Sequence, residues 1–263
     1  MPYQTRGSRY DGNMASEKTR AIVLRVVEFS ETSCVLTLFT EHFGKVGALA
    51  KGARRPKGPF EGALDLLALV RIVFLRKSSE ALDLLTEAKL ERRFRSAQRD
   101  LSRLYAGYYV AELLSELTDN GDPHSELFAL ADETLLALDS GRPVAATILR
   151  FEVLALRLLG HLPSLDECVG CGQRVPEQAR TAFGLVVGGV LCAKCRPGQR
   201  QVVSVSSAAL ATLRQFAEGN GEAAALTMDD KIRGELRGVW NNYLAHLIGH
   251  KPRMHEFLGV LAH

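Results

Sequence analysis

The chain of 263 residues has room for one large domain or for two to three small ones. Hydrophobic residues at 46% and charged residues at 24% are the proportions of an ordinary globular protein and exclude wholesale disorder. A net charge of +3 sets up little field if spread evenly, so any grip on a polyanion has to come from a local concentration of charge.

Residues 1–15 are polar, without periodicity, and read as a disordered tail, with Met14 as an alternative start. The sequence opens without the apolar region of a secretory signal, and no run reaches the roughly 18–20 apolar residues of a membrane span. The expectation is a cytoplasmic protein that makes no membrane contact.

Residues 16–95 carry five short apolar runs of strand length, "AIVLRVVEF", "SCVLTLFT", "GKVGALAK", "LLALVRIVFLR" and "ALDLLTEAKL", separated by polar or Gly/Pro breaks. Five strands in so short a span suit a small antiparallel barrel. The five-stranded OB-fold is the first candidate, because closure removes exposed edges and its strand face and loops bind oligonucleotides; an SH3-like barrel is the alternative.

The charge is concentrated in this part of the chain. Between Glu41 and Glu61 there is no acid, while Lys45, Lys51, Arg54, Arg55 and Lys57 all fall in the interval. A run of cations is ordinarily a solvated surface. Here it leaves a barrel strand and enters a loop stiffened by Pro56 and Pro59, so several cations are held close enough to neutralise neighbouring phosphates. Phe39, Phe43 and Phe60 lie near in sequence, as base-stacking rings or as core.

From residue 96 the period becomes helical. Leu101, Leu104, Tyr105 and Tyr108 share one stripe, widened by Leu113, Leu114 and Leu117 into a central buried helix. After "NGDPH" the pattern restarts with Ser125 as the expected cap, and a third helix begins near Pro143 and runs through "ILRFEVLALRLLG". That run reads as a buried helix although it carries Arg150, Glu152 and Arg157. Residues 96–165 and 201–263 are therefore expected to form one helical domain, with residues 166–200 inserted as a separate small module. In the last part, Leu236, Val239, Trp240, Tyr243, Leu244 and Leu247 make an apolar face, and Asp229 and Asp230 read as helix-start charges.

The inserted module contains Cys168-x-x-Cys171 and Cys192-x-x-Cys195, with twenty residues between the pairs. Each C-x-x-C turns two sulfurs toward one point, and two such knuckles supply the four thiolates preferred by tetrahedral zinc. Four protein ligands leave no open position for an activated water, so the expected Zn2+ is structural. A redox dithiol and an iron site are the rival readings. Cys34, the fifth cysteine, lies in an apolar strand and reads as packing.

Catalytic signatures are missing: there is no Walker sequence, no G-x-S-x-G and no H-E-x-x-H. His246 and His250 share a helical face and precede His255, as metal ligands or, without a carboxylate at motif spacing, as a hydrogen-bonded pair. The expectation is a protein that is not an enzyme.

Two stretches carry a family resemblance. "AIVLRVVEFSETSCVLTLFTEHFGKVGALAKGARRPKG" resembles the N-terminal barrel of the bacterial RecO family of DNA repair and recombination proteins, and "FEVLALRLLGHLPSLDECVGCG" with "GGVLCAKC" resembles that family's junction between helix and zinc module. The resemblance implies an α+β chain: an N-terminal OB-fold, then a helical domain with an inserted four-cysteine zinc ribbon. It also implies a recombination mediator that binds single- and double-stranded DNA, anneals complementary strands coated by single-stranded DNA-binding protein (SSB), and with RecR helps load RecA. Lys51, Arg54, Arg55 and Lys57 would then touch DNA. The family's helical domain grips the acidic, Phe-ending tail of SSB; Arg150 or Arg157 would supply the cation for that tail, with Glu152 or solvent as their other partners. An RNA-binding or transcription-associated assembly protein is the competing reading of the same barrel and ribbon.

Overall fold

The computed structural model describes residues 15–55, 58–60, 62–77, 81–96, 100–219 and 228–258. Pro56, Lys57, Glu61 and the proposed tail up to Met14 lie outside them. The chain divides into two compact units.

The first unit, up to Arg93 with Asn120–Pro123, is a closed barrel in the order β1-β2-β3-β5-β4, the five-stranded OB-like arrangement. Its strands are β1 (Ala15–Glu28), β2 (Cys34–Thr40), β3 (Gly44–Ala50), β4 (Leu69–Arg76) and β5 (Asp83–Arg92). Strand β1 closes the barrel by serving two neighbours: Ala15–Ile22 pair with β4, and from Ala21 onward the strand pairs with β2. A bulge between Val23 and Arg25 bends it at this handover. Strands β3 and β5 pair in parallel, Ala48 opposite Asp83 and Ala50 opposite Leu85.

Alternation does the sorting. On β2 and β3 the buried positions Leu36, Leu38, Val46, Ala48 and Ala50 join Val70, Ile72 and Phe74 of β4 in one core. Asn120–Pro123 return to this unit, where the Gly121 N–H donates to the Lys45 carbonyl at 3.0 Å. The same contact requires glycine at position 44. Its φ is +65°, and a Cβ there would lie 2.1 Å from the Asp122 carbonyl oxygen.

The second unit holds α1 (Leu101–Leu117), α2 (Ser125–Asp139), α3 (Val144–Leu158), a three-stranded sheet, α4 (Ser207–Ala217), α5 (Asp230–Ile248) and the short α6 (His255–Leu258). The sheet has the order β7-β6-β8, from β6 (Arg180–Gly184), β7 (Gly189–Leu191) and β8 (Val202–Ser206). Tyr109, Phe128, Phe151, Phe216 and Trp240 are fully buried among the helices. The Asp229 carboxylate caps α5, accepting the Ile232 N–H at 2.7 Å.

Two sequence expectations need correction. Ser125 does not cap α2: it is the first helical residue, and His124 holds the cap position without a side-chain hydrogen bond. The buried face of α1 is also rotated from the expected stripe. Leu101 is exposed, Leu104, Tyr105 and Tyr108 are half-buried, and Ala106, Tyr109, Val110, Leu113 and Leu114 fill the core. The expected stripe was anchored on residues at the very start of the helix; the core selects the face beside them.

The charges in α3 have separate fates. Glu152 is 1% exposed, and its carboxylate accepts hydrogen bonds from the Tyr109 hydroxyl at 2.6 Å and from the Arg237 guanidinium, Nη1 at 3.1 Å. Burial, reinforced by the Glu152 charge, pushes the Tyr109 phenol well above its ordinary range. A buried carboxylate is tolerated here because its oxygens are satisfied and its charge is matched.

Candidate nucleic-acid interface and metal centre

The pleat of β3 turns Lys45, Gly47 and Leu49 outward as half-buried residues, and Lys51 follows them as an exposed one. At about 3.3 Å per residue, Lys45 lies about 16 Å along β3 from Ala50, where the strand ends and Lys51 opens the turn. The neighbours on the outward face are fixed by register. Val35 of β2 lies opposite Leu49 and Thr37 opposite Gly47; on the far side of β2, Val27 lies opposite Val35 and Arg25 opposite Thr37. The outer surface of the three strands is thus a lane with an apolar row, Val27, Val35 and Leu49, and a row of Arg25, Thr37 and Gly47; at the Lys45 end the opposite residue, Phe39, is fully buried, and Lys51 follows the other end.

Beyond β3 the chain makes a closed turn, in which the Arg55 N–H donates to the Gly52 carbonyl at 3.0 Å. The turn is fastened to the tip of the β1–β2 hairpin. The Arg54 N–H donates to the Thr32 carbonyl at 3.1 Å, and the Arg54 guanidinium meets the Glu28 carboxylate at 3.1 Å. Both side chains of that ion pair are at least half exposed, so it is worth at most about 1 kcal/mol and yields readily to a competing anion. Lys51, Arg54 and Arg55 are all exposed at this end, and Lys45 sits at the other. Lys57 falls outside the described residues.

The three aromatic rings singled out from sequence are not stacking platforms. Phe60 belongs to the barrel core, and Phe39, opposite Lys45 on the other side of the β2 pleat, is fully buried as well. Phe43 is half-buried, its ring edge-on to Phe74 at 5.5 Å with the Arg76 guanidinium 5.9 Å above it. The ring that does face solvent here, Phe29, escaped the sequence reading because it trails an apolar strand and reads as one more core residue.

In the second unit the four cysteine sulfurs lie within 4.8 Å of one another. Each C-x-x-C forms a knuckle closed by backbone hydrogen bonds. Gly172 N–H donates to the Cys168 carbonyl at 2.8 Å, and Arg196 N–H to the Cys192 carbonyl at 3.0 Å. Val169 N–H to the Val190 carbonyl at 3.1 Å ties the first knuckle to β7, which leads into the second. The β6–β7 hairpin expected from "TAFGLVVGG" is present, with β8 added on its other side.

The sulfur geometry fits a tetrahedral ion. The Cys171 and Cys192 sulfurs are 3.9 Å apart, far too long for a disulfide but close to the edge of about 3.8 Å that four ligands at ~2.3 Å impose. Burial works against the Cys168 thiolate, but N–H groups of Cys192, Gly170 and Cys171 outweigh it and bring that thiol down to about 6. Hydrogen bonds to the sulfurs of Cys192, Cys171 and Cys168 push Cys195 up to about 12. Four thiolates at this spacing repel one another unless a cation sits between them. Gly170 completes the fit, since a Cβ there would come within 3.1 Å of the Cys195 sulfur. The cluster can therefore hold a metal ion.

The remaining candidates are dispersed. Arg150 meets Glu133 at 3.3 Å and, with Leu136, Ala137, Arg142 and Thr147, lines a hollow of about 290 Å³ between α2 and α3. The Arg157 guanidinium donates to the Ala217 carbonyl at the end of α4. Neither arginine takes Glu152 as its partner, because Arg237 of α5 occupies that carboxylate. His250 faces Glu116 at 3.5 Å and His255 the Tyr109 hydroxyl at 3.1 Å; among the described residues the cysteines alone form a metal-ligand group. Cys34 is buried in the barrel, and burial pushes its thiol up.

Residues 14–94 match the family described as "Recombination protein O N terminal", and residues 98–256 match "Recombination protein O C terminal". The chain belongs to the RecO family. A RecO of Rhodopirellula baltica, named a DNA repair protein, is 45% identical, with 90% of this chain and 97% of that one covered. The DNA repair protein RecO of Anaeromyxobacter dehalogenans is 36% identical over 93% and 96%, and that of Myxococcus xanthus 35% identical over 90% and 95%. Membership supports a role in DNA repair and recombination. No helix among the described residues is long and apolar enough to cross a membrane.

Proposed function

We propose that this RecO-family protein is a non-enzymatic recombination mediator that holds DNA on the outer face of β1–β3 and anneals complementary strands, including SSB-coated ones. The observation that supports this reading is the group of exposed cations Lys51, Arg54 and Arg55 beside the outward apolar row Val27, Val35 and Leu49, with Lys45 farther along the same strand. Cations on this face would contact phosphate without reading sequence, and a strand of several nucleotides spans it. RecR and RecA follow from the family reading, RecA being loaded with RecR at gaps and breaks, and a role on chromosomal DNA implies action in the cytoplasm. Four thiolates without an open position suit Zn2+ in a structural role, in which it would fix the ribbon's fold; Cys168, Cys171, Cys192 and Cys195 would hold it.

The decisive experiment is annealing of complementary oligonucleotides, bare and SSB-coated, by the wild type and by the double variant Arg54→Ala/Arg55→Ala. Wild type should accelerate both reactions. The variant should anneal more slowly, and the slope of its log affinity against log salt should fall by about one unit for each phosphate left without its arginine. Binding without acceleration, or an unchanged slope, contradicts the reading.

The same proposal assigns the acidic tail of SSB to the α2–α3 hollow, where Arg150 and Arg142 flank the exposed Leu136. Arg157, already engaged with Ala217, is the weaker of the two candidates. Arg150→Ala should reduce binding of a peptide of that tail severalfold, read by fluorescence anisotropy, while Arg157→Ala changes it less. Equal affinity in all three proteins would remove the hollow as the tail site.

A further inference from the structure

Among the phenylalanines of the described residues, Phe29 and Phe257 alone are largely exposed, at 67% and 41%. Phe257 packs its ring against Tyr105 with centroids 4.8 Å apart. A single exposed ring on a protein surface needs no explanation in itself. Phe29 differs in where it is held and how firmly.

It extends the outward row of Arg25 and Val27, at the point where β1 ends and the hairpin turns. The turn is tight: Phe29 N–H donates to the Ser33 carbonyl at 3.0 Å, Ser30 N–H to the same oxygen at 3.2 Å, and Ser33 N–H to the Ser30 hydroxyl oxygen at 3.2 Å. The backbone beneath the ring is therefore fixed, and little ordering entropy is lost when the ring meets a ligand. Thr32 and Glu28, on either side of it in sequence, are the two residues that fasten this tip to Arg54. An exposed aromatic face and the cations of the Lys51–Arg55 turn thus share one end of the lane.

Cations and an adjacent ring recognise the two halves of a nucleotide, the phosphate and the base. In a duplex the base faces are covered by their neighbours, whereas in a single strand they are available for stacking. We propose that Phe29 stacks on an unpaired base of a strand held by Lys51, Arg54 and Arg55, and so makes this site select single-stranded over double-stranded nucleic acid. The inference rests on the nucleic-acid reading of the lane and adds to it the form of strand preferred.

The test uses the full chain, a labelled mixed-sequence oligonucleotide and its duplex. Phe29→Ala should weaken binding of the single strand about tenfold, as expected for removal of one stacked base, and leave both the duplex affinity and the salt slope unchanged. Phe29→Trp should keep the single-strand affinity, and its added indole emission should be quenched by the single strand and not by the duplex. Trp240, the native tryptophan, is fully buried, so the difference from wild type isolates the new ring. Wild-type single-strand affinity in Phe29→Ala, or equal weakening on single strand and duplex, overturns the inference. Arg54→Ala/Arg55→Ala is measured alongside. If it weakens binding while Phe29→Ala does not, stacking alone is wrong; if neither variant changes binding, the lane itself is not the interface.

Discussion

Cys168→Ser should leave the protein without stoichiometric zinc and its ribbon unfolded. Cys168 is the buried member of the cluster, and its sulfur accepts the Cys192 N–H at 3.3 Å, so it joins the two knuckles even before a metal is considered. Apart from a metal, the module is held by a three-stranded sheet whose β7 is three residues long, by two turns, and by the packing of buried Phe183 against Tyr243 of α5. Structural zinc supplies on the order of 10 kcal/mol or more to such modules, comparable to the whole stability of a typical domain. The measurements are zinc content and amide exchange. Metal content should fall from one equivalent toward zero, and amides of β6 and β7 should lose protection, as they should in wild type treated with a chelator. Cys34→Ser is the control, since that thiol lies in the barrel core and its replacement should leave zinc untouched. Full protection of β6 and β7 in metal-free protein would show that packing alone closes the ribbon.

Glu152→Ala should be among the most destabilising single substitutions in the helical unit. It strips the counter-charge from Arg237 and the acceptor from the Tyr109 hydroxyl. Breaking one side of a fully buried ion pair costs about 3–5 kcal/mol, and because the Arg237 side chain keeps 23% exposure the cost here should fall toward the lower end of that range. Urea titration should show this as a lower midpoint at constant slope. The double replacement Glu152→Met/Arg237→Met should recover much of the stability, since an apolar pair of similar size carries no desolvation cost. A double variant as unstable as Glu152→Ala would mean that the charged pair contributes net stability and not only a matched cost.

Sequence patterning disclosed the elements whose determinants are local. Short apolar runs bounded by polar or Gly/Pro breaks located all five barrel strands, and the C-x-x-C spacing located the metal-ligand cluster, because strand and knuckle are properties of neighbouring residues. Contacts between distant segments were hidden. Glu152 and Arg237 are separated by 85 residues, so the charges in "ILRFEVLALRLLG" had no visible partner. Phe29 ends an apolar run and is exposed, while Phe39 and Phe60 read equally well as platforms and are buried. Whether a ring ends inside or outside a barrel depends on closure, which places β1 between β2 and β4. The one local signal available was the alternation itself: counted past the bulge from Arg25 and Val27, residue 29 falls on the outward side.

The path of the chain through the barrel has a bearing on how the protein is made. Asn120–Pro123 belong to the first unit, and the Gly121 amide covers the Lys45 carbonyl. A nascent chain that has emerged only as far as β5 has every strand but lacks this last piece, which follows α1 off the ribosome. At about 5–20 residues per second, the barrel spends seconds during synthesis with the start of β3 uncovered. The same ordering warns against cutting the gene after β5 to obtain a free-standing barrel: such a fragment would leave the carbonyl of Lys45 to water and Gly44 without the neighbour that requires it to be glycine.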